Sequence, residues 1–231
     1  MGSGPLPRGA GQLTPLWCPS DNFGPRRSGA RPDLVVLHYT VIPTARATLD
    51  HLRHPGSGVS AHYVLDRDGT CWQLVTEEMR AWHAGLGAWG TVTEVNSRAI
   101  GIELVNTGAE PFPEPQISAL ETLLAGILRR WSIPPARVIG HSDMAPTRKQ
   151  DPGPRFDWAR LVRRGLAVAA APAAPGDFLG AAARFGYRVA PGEEQALLAA
   201  FRARFRPGAR GPLDDHDRAL MAGLAAAYPA G

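Results

Sequence analysis

Three side chains that commonly bind metal ions stand at the ends of apolar segments. His38 follows the apolar run at 34–37, His141 follows the short apolar run at 138–139, and Asp151 lies in the polar loop after it. Two imidazole nitrogens and one carboxylate oxygen, with a fourth position left for water, form the expected ligand set of a catalytic zinc ion. The pattern therefore predicts a Zn²⁺ site made by His38, His141 and Asp151.

A carboxylate and an ammonium group supply the remaining chemistry that amide hydrolysis needs. Glu103 is the one acid in the apolar strand predicted at 99–105, and burial in such surroundings tends to raise a carboxyl pKa. We expect Glu103 to accept a proton from the attacking water. Lys149 lies two positions before Asp151, on the same side of an extended loop, and is expected to stabilise the oxyanion. The alternatives are that Glu103 and Lys149 pair with each other, or that Lys149 is solvated.

Strand and helix patterns alternate over residues 33–168, which predicts an α/β fold with a mixed central sheet flanked by helices. This arrangement gathers the loops at one edge of the sheet. Strands are predicted at 34–37, 61–65, 71–75, 99–105 and 138–139, with an Asp-Gly hairpin turn between the second and the third. Helices are predicted at 44–53, 115–131 and 157–168, the first of them capped by Thr44.

Composition divides the chain into four parts. Residues 1–32 are rich in Gly, Pro, Ser and Arg and are expected to form an extended arm across the surface. Residues 33–168 form the predicted catalytic domain, and the Ala- and Pro-rich stretch at 169–176 is predicted to be a linker. Helical patterns at 178–185, 193–205 and 214–228 predict a small three-helix domain over residues 177–231, with Leu179 among its core candidates.

Charge and hydropathy limit the classes of partner. The chain has 25 Lys and Arg residues against 21 Asp and Glu residues, and this formal charge of +4 favours an anionic partner. The basic residues are nearly all Arg and are dispersed, so nucleic acid is not expected to bind. No apolar run reaches the roughly 18–20 residues of a transmembrane helix. We expect a monomer without a transmembrane segment.

The cysteines and the N-terminus bear on the cellular compartment. Cys18 and Cys71 lack metal-ligand spacing, and they either form one disulfide or, as expected for a chain without an export signal, remain free thiols. The N-terminal residues lack the apolar core of a signal peptide, so a cytoplasmic location is expected. The alternative is a periplasmic or cell-envelope location, if residues 1–4 replaced a leader that was removed.

Five segments of the chain carry a resemblance to a known family. They are LHYT at 37–40, SAHYVLDRDG at 60–69, WHAG at 82–85, IGIELVN at 100–106 and GHSDMAPTRKQDPGPRFDW at 140–158. Together they closely resemble the zinc-dependent N-acetylmuramoyl-L-alanine amidases of the type 2 amidase family, over roughly residues 17–168. The resemblance implies that the three predicted ligands bind zinc and that Glu103 and Lys149 are catalytic.

The same resemblance implies which residues contact substrate and what the C-terminal helices do. The implied groove residues are His62, Trp82, His83, Asn96 and Asn106. The alternatives are that Trp82 belongs to the core and that His62 supports a neighbouring side chain instead. The segments FGYRV at 185–189, ALLAAFRARFRPG at 196–208 and LDDHDRALMAGLA at 213–225 loosely resemble a peptidoglycan-binding three-helix domain. A purely structural appendage is the alternative.

The activity implied by the resemblance is hydrolysis of the amide bond between N-acetylmuramic acid, or its anhydro form, and the L-alanine of peptidoglycan stem peptides. Such a bacterial enzyme serves cell-wall degradation or muropeptide recycling. The alternatives are a peptidoglycan recognition protein without activity and a zinc peptidase that cuts within the stem peptide. A wall-binding domain favours polymeric peptidoglycan as the substrate, whereas the missing export signal favours a recycled anhydro-muropeptide, and the sequence leaves both open.

Overall fold

Eight strands and eight α-helices form within residues 13–230, the part of the chain that the computed structural model describes. The strands are β1 (Leu16–Trp17), β2 (Phe23–Pro25), β3 (Leu34–Tyr39), β4 (Tyr63–Leu65), β5 (Cys71–Gln73), β6 (Met79–Ala81), β7 (Ala99–Leu104) and β8 (Val138–Gly140). The helices are α1 (Ala45–Arg53), α2 (Val95–Arg98), α3 (Glu114–Trp131), α4 (His141–Met144), α5 (Trp158–Arg163), α6 (Phe178–Phe185), α7 (Glu194–Phe205) and α8 (Asp215–Ala227).

A six-stranded mixed sheet is the centre of the fold, with the strand order β1-β5-β4-β7-β3-β8. The three strands β7, β3 and β8 are parallel neighbours, whereas β4 and β5 form the predicted antiparallel hairpin. A second, two-stranded sheet pairs β2 with β6. The mixed sheet with flanking helices confirms the predicted α/β class.

Both faces of the central strand β3 are covered. Val35 and Leu37 pack in one hydrophobic cluster with α3, while Leu34 and Val36 pack in another cluster with the C-terminal helices. All four side chains are fully buried. Because side chains alternate along a strand, the apolar run of β3 meets a different cover on each face. His38 continues the alternation on the face shared by Leu34 and Val36.

The closing helix is shorter than predicted. The pattern at 157–168 predicts a helix to its end, but α5 ends at Arg163. The chain turns there because the N–H groups of Gly165 and Leu166 bond back to the carbonyls of Val162 and Leu161, each at 2.9 Å. These bonds satisfy the last carbonyls of the helix and stop its continuation.

The N-terminal segment takes part in the fold. Residues 1–12 of the predicted arm lie outside the described residues, and the described remainder supplies β1 and β2 to the two sheets. Arg26 is buried, and its guanidinium donates hydrogen bonds to the carbonyl oxygens of Glu77 and Ser97 at 2.7 and 2.8 Å. Cys18 and Cys71 are free thiols in the structure.

The C-terminal helices share a hydrophobic cluster with the sheet. Phe185 and Phe201 belong to the same buried cluster as Trp89 and Ile139. Leu179 is the exception among the predicted core residues, because 42% of its side chain is exposed. The predicted linker is hydrogen-bonded to α8, because the N–H of Ala173 donates to the carbonyl of Ala219 at 2.9 Å. Across residues 13–230, none of the helices has the length and apolarity needed to cross a membrane.

The shared cluster makes a prediction about Gly186, which follows α6. A Cβ atom at Gly186 would lie 2.4 Å from the ring of Trp89, whereas one at Gly192 would meet nothing within 4 Å, although both glycines have positive φ. We expect Gly186→Ala to lower the free energy of unfolding by about 1–3 kcal/mol more than Gly192→Ala, because only Gly186→Ala overpacks the cluster. Urea titration of both variants measures the difference, and equal losses would contradict the shared cluster.

Candidate active site

Strand register brings the predicted site residues together at the carboxyl ends of the parallel strands. His38 on β3 lies directly opposite Glu103 on β7. On the other side of β3, Leu37 lies opposite Gly140, so that His141 starts α4 beside the end of β3. The carboxyl ends of these parallel strands open on the same side, which is where α/β sheets commonly bind ligands.

The three predicted metal ligands meet at a single point. The distance from His38 Nδ1 to His141 Nδ1 is 2.9 Å, and Asp151 Oδ2 lies 3.0 Å from the first nitrogen and 3.1 Å from the second. All three residues are buried, with at most 7% of each exposed. The loop that carries Asp151 is fixed to the turn at His141, because the N–H of Ser142 donates to the carbonyl of Asp151 at 2.9 Å.

Hydrogen bonds determine which ring nitrogens face this point. His141 Nε2 lies 2.9 Å from the carbonyl oxygen of Ala84, which only accepts, so Nε2 carries a proton and Nδ1 is the ring nitrogen left to face a cation. Burial lowers the pKa of His38 to about 4, which keeps the His38 ring neutral. Although burial opposes ionisation of Asp151, its contacts with His141 and His38 hold its pKa below the usual range.

This arrangement fits a divalent cation. The lone pair of His141 Nδ1 faces the carboxylate oxygen of Asp151 at 3.1 Å, and two buried acceptors this close are unfavourable unless a cation or a proton lies between them. Two imidazole nitrogens and one carboxylate oxygen match a catalytic zinc site. Ligand atoms about 2.1 Å from a tetrahedral ion lie about 3.4 Å apart, so the three atoms need to separate by only a few tenths of an ångström.

His83 supports the His38 ligand from the outside. Its Nδ1 lies 3.1 Å from His38 Nε2, and its ring packs on Gly101 of β7, where a Cβ atom would come within 2.3 Å of the ring. Any larger residue at position 101 would displace His83. The N–H of Gly101 in turn donates to His62 Nδ1 at 3.0 Å. His62 and His83 therefore form a chain of contacts that leads to the ligand.

Glu103 is held next to the ligands without a partner for its charge. Its Oε2 is buried and lacks a hydrogen-bond partner among the described residues. Burial, together with the neighbouring Asp151, raises the pKa of Glu103 to about 8, while Lys149 acts in the opposite direction. Lys149 is the only lysine in the chain. No ion pair joins Lys149 to Glu103 within residues 13–230, so the alternative of a simple pair is not what the structure shows.

An open cleft of about 570 Å³ gives access to these groups. This volume suits a small-molecule substrate. Its lining includes every predicted ligand and both predicted catalytic residues, together with one predicted substrate contact, His83. The lining residues that could take part in metal binding or proton transfer are His38, His83, Glu103, His141, Lys149 and Asp151.

The other predicted substrate contacts do not line the cleft. His62 is fully buried, and its Nε2 lies 3.1 Å from the carbonyl of Met79, which places it in the supporting role that the sequence left as an alternative. Asn106 is also fully buried and holds a turn by accepting the N–H of Gly108 at 2.7 Å.

Asn96 and Trp82 lie near the site without lining the cleft. Asn96 Oδ1 accepts the N–H groups of His83 and Ala84 at 3.0 and 2.9 Å, so it fixes the backbone of the segment that contacts His38 and His141. Trp82 is partly buried, and its backbone N–H donates to Ser60 Oγ at 2.9 Å. Both residues shape the segment that contacts the ligands.

Comparison with known proteins assigns the family. A sequence model described as N-acetylmuramoyl-L-alanine amidase matches residues 28–154, which contain all three predicted metal ligands and both predicted catalytic residues. The chain belongs to the N-acetylmuramoyl-L-alanine amidase family. As a member of this family it is an amide hydrolase, and the converging side chains described above are its candidate active site.

Amidase relatives cover both the sheet and the C-terminal helices. The N-acetylmuramoyl-L-alanine amidase AmiD of Escherichia coli is 34% identical over 233 residues, with 84% of this chain and 83% of AmiD aligned. The 1,6-anhydro-N-acetylmuramyl-L-alanine amidase AmpD of Citrobacter freundii is 33% identical over 160 residues, which cover 62% of this chain and 86% of AmpD. AmiD therefore aligns with more of this chain than AmpD does.

Solved amidase structures superpose on most of the chain. The complex of Escherichia coli AmiD with the substrate anhydro-N-acetylmuramic acid-L-Ala-D-γ-Glu-L-Lys gives a TM-score of 0.79 at 33% identity, covering 88% of this chain and 92% of that one. AmpDh3 of Pseudomonas aeruginosa, in complex with an anhydromuramic pentapeptide, gives a TM-score of 0.79 at 32% identity, with 88% and 95% covered.

Sequence reasoning missed the groups that hold the amidase ligands in place. The carbonyl of Ala84 accepts from His141 and also from Arg148 Nη2, the latter at 2.8 Å. Asp143 is 1% exposed and accepts the N–H of Gly140 at 2.8 Å. The one signal available was an acid at position 143, two residues after a predicted ligand. The role of the Ala84 carbonyl could not be predicted, because every residue type has a backbone carbonyl.

The raised pKa of Glu103 predicts a pH-dependent stability in the metal-free protein. Below pH ~4.5 the carboxyl is protonated in both states, whereas above pH ~8 the folded protein must hold a carboxylate whose Oε2 is buried without a hydrogen-bond partner. The group therefore destabilises the folded state progressively as the pH rises through this window. We expect Glu103→Gln to remove that loss, so that the stability of Glu103→Gln relative to the wild type increases from pH 5 to pH 9.

Urea unfolding in the presence of a chelator measures this difference. Glu78→Gln, at an exposed acid that does not line the cleft, is the control variant. A difference between Glu103→Gln and wild type that stays constant from pH 5 to pH 9 would contradict a raised pKa at Glu103.

Proposed function

We propose that this chain is a zinc-dependent enzyme that hydrolyses the amide bond between N-acetylmuramic acid, or its anhydro form, and the L-alanine of a stem peptide. The observation that carries the proposal is the meeting of two imidazole nitrogens and one carboxylate oxygen within 3.1 Å of one another, in the lining of an open cleft. Membership of the amidase family indicates which type of bond is hydrolysed, and the set of ligand atoms indicates which metal would bind.

His38, His141 and Asp151 would hold one zinc ion. When bound, zinc supplies a Lewis acid that polarises a carbonyl and lowers the pKa of water to near 7. The chain orients the two imidazoles with the Ala84 carbonyl and with His83, so that the Nδ1 atom of each ring points toward Asp151. Contacts of this kind fix ring orientation and strengthen ligands.

Glu103 is placed to move the proton. Its unpartnered Oε2 lies in the cleft wall beside His38, and the carboxyl pKa near 8 in the metal-free chain means that the group exchanges protons near neutral pH. A cation held by the three ligands would lower this pKa and favour the carboxylate as a base. Glu103 would then take the proton of the attacking water and deliver it to the amine nitrogen of L-alanine as that group leaves.

Lys149 is placed to balance the negative charge that develops on the scissile carbonyl oxygen. It lines the cleft next to Asp151, and its positive charge opposes the burial that raises the pKa of Glu103. A fixed ammonium group acts most strongly where water is excluded. This role suits the only lysine in a chain that uses Arg at every other basic position.

The substrate assignment draws on the solved relatives. The structures of AmiD and AmpDh3 contain anhydromuramyl peptides, and both superpose on 88% of this chain. The formal charge of +4 also suits a stem peptide that carries carboxylates. We therefore propose anhydromuramyl peptides as substrates, with polymeric peptidoglycan as the second substrate to test. Peptidoglycan binding by residues 177–231 and a cytoplasmic location remain predictions.

Substitution of the ligands and of Glu103 should have separable effects. We expect Asp151→Ala and His141→Ala to lose stoichiometric zinc, because each removes a ligand atom. Glu103→Gln should keep the zinc and lose turnover by roughly 10²–10⁴-fold, because only proton transfer is removed. Metal analysis after dialysis, together with turnover of an anhydromuramyl tripeptide, checks both effects. Full turnover in Glu103→Gln would contradict the proton-transfer role.

Lys149 should act on turnover without acting on the metal. We expect Lys149→Met to retain zinc and to lose roughly 10²–10³-fold in kcat, because the charge near the oxyanion is removed. Lys149→Arg, which keeps the charge but changes its shape, is the matched variant and should recover part of the rate. If Lys149→Met were as active as the wild type, Lys149 would be a solvated side chain, as the sequence alternative held.

Product analysis separates the amidase from the alternative peptidase. Cleavage of the proposed bond yields the muramyl group and an intact stem peptide with a free L-alanine amine, whereas a peptidase shortens the peptide. Mass spectrometry of digests of an anhydromuramyl peptide and of intact sacculi should show intact peptides. Products shorter than the stem peptide would contradict the assignment.

A further inference from the structure

The His141 ligand follows directly after an edge strand of the sheet. β8 is three residues long and stands at the edge of the sheet, bonded only to β3. Backbone groups on the outer side of an edge strand have no partner in the sheet. A metal ligand placed at the end of such a strand needs another element to fix it, because local opening of a short edge strand would move His141.

Helix α7 supplies that element. The guanidinium of Arg204 donates from Nη2 to the outer carbonyl of Val138 on β8 at 2.9 Å. From Nη1 it donates to Asp143 Oδ2 at 2.6 Å. The same side chain therefore binds both the start of the strand and the turn that follows His141, 66 and 61 residues away in the sequence.

Asp143 connects Arg204 to the backbone next to the His141 ligand. Its Oδ2 also accepts the N–H of Gly140 at 2.8 Å, and Gly140 directly precedes His141. Its other oxygen, Oδ1, accepts the hydroxyl of Tyr187 at 2.6 Å. The N–H of Ser142, in the same turn, donates to the carbonyl of Asp151. The turn centred on Asp143 therefore helps to fix the backbone positions of two of the three proposed ligands, His141 and Asp151.

The cost of this arrangement argues that it does more than pack helices together. Arg204 and Asp143 are 6% and 1% exposed, and Arg204 lies over the rings of Trp158 and Phe205 at 4.4 and 4.8 Å. A buried ion pair is often no more stabilising than apolar residues of the same size, so its advantage lies in fixing one geometry. Here the geometry fixed is that of the His141 turn.

We propose that the C-terminal helices are a positioning element of the metal site, acting through Arg204 and Tyr187 on Asp143. The proposal rests on the proposed zinc function, because its main consequence is a higher affinity for the metal. It assigns these helices a role inside the enzyme that is separate from any binding of peptidoglycan. Arg204 and Tyr187 are positioning residues, since neither lines the cleft within the described chain.

The chain offers a matched control on the same helix. Arg202 is 7% exposed and pairs with Asp217, which is fully buried, and it donates to the carbonyls of Gly211 and Pro212 at 2.7 and 2.8 Å. All of these partners belong to the C-terminal segment. Loss of Arg202 therefore disturbs the same helices by the same kind of change, without touching β8 or the His141 turn.

The test compares Arg204→Met, Tyr187→Phe and Arg202→Met in the full chain. Zinc affinity is measured by competition with a chromophoric chelator, and amide hydrogen exchange over residues 138–144 is measured in the metal-free protein. We expect Arg204→Met to weaken zinc binding by roughly tenfold or more and to speed exchange in this segment. Tyr187→Phe should act in the same direction by a smaller factor, and Arg204→Lys should restore part of the affinity.

Arg202→Met should leave zinc affinity within about twofold of the wild type, even where it lowers the melting temperature as much as Arg204→Met does. Equal zinc affinity and equal exchange in the Arg204 and Arg202 variants would overturn the proposal. If Arg204→Met does not fold, the near-isosteric Tyr187→Phe decides by the same two readouts. A wild-type chain that binds no zinc would instead contradict the proposed function, and the exchange measurement, which needs no metal, would still test the positioning role.

Discussion

The close approach of three buried lone-pair donors is the constraint on which the rest of the site depends. His38, His141 and Asp151 meet within 3.1 Å, and this arrangement is stable only with a cation or a proton among them. Parallel register between β7, β3 and β8 sets the positions, and the Ala84 carbonyl and His83 set the ring orientations. Each of these two supporting contacts is made by the Nε2 atom of a ligand ring, and the Nδ1 atom of the same ring faces Asp151.

Burial shifts the pKa values of two titratable groups in the cleft in opposite directions, and both shifts favour the neutral form. It keeps the His38 imidazole neutral and raises the pKa of Glu103, because both changes avoid an uncompensated charge in the interior. A cation bound by the three ligands would reverse the balance at Glu103 by favouring its carboxylate. The same ion would then organise the ligands and prepare the base, which explains why a carboxyl without a partner persists on an apolar strand.

Local patterns were enough to predict the fold class and to nominate the residues of the site. Apolar runs that end in His38 and His141, and the lone acid Glu103 within such a run, are visible in the sequence because each breaks a local regularity. The contacts of Arg204 with Asp143 and Val138 were not predictable, since they join positions more than 60 residues apart through packing of α7 on the sheet edge. The sequence left two roles open for His62 for a related reason, because a residue type gives no sign of which neighbours contact its two ring nitrogens.

Zinc coordination by two imidazoles and one carboxylate can be measured by X-ray absorption spectroscopy of the zinc-loaded chain. We expect a shell of nitrogen and oxygen atoms at about 2.0–2.1 Å, with the outer scattering of two imidazole rings and no sulfur. A sulfur shell near 2.3 Å, which would involve Cys18 or Cys71, or scattering from fewer than two imidazoles, would rule out this ligand set.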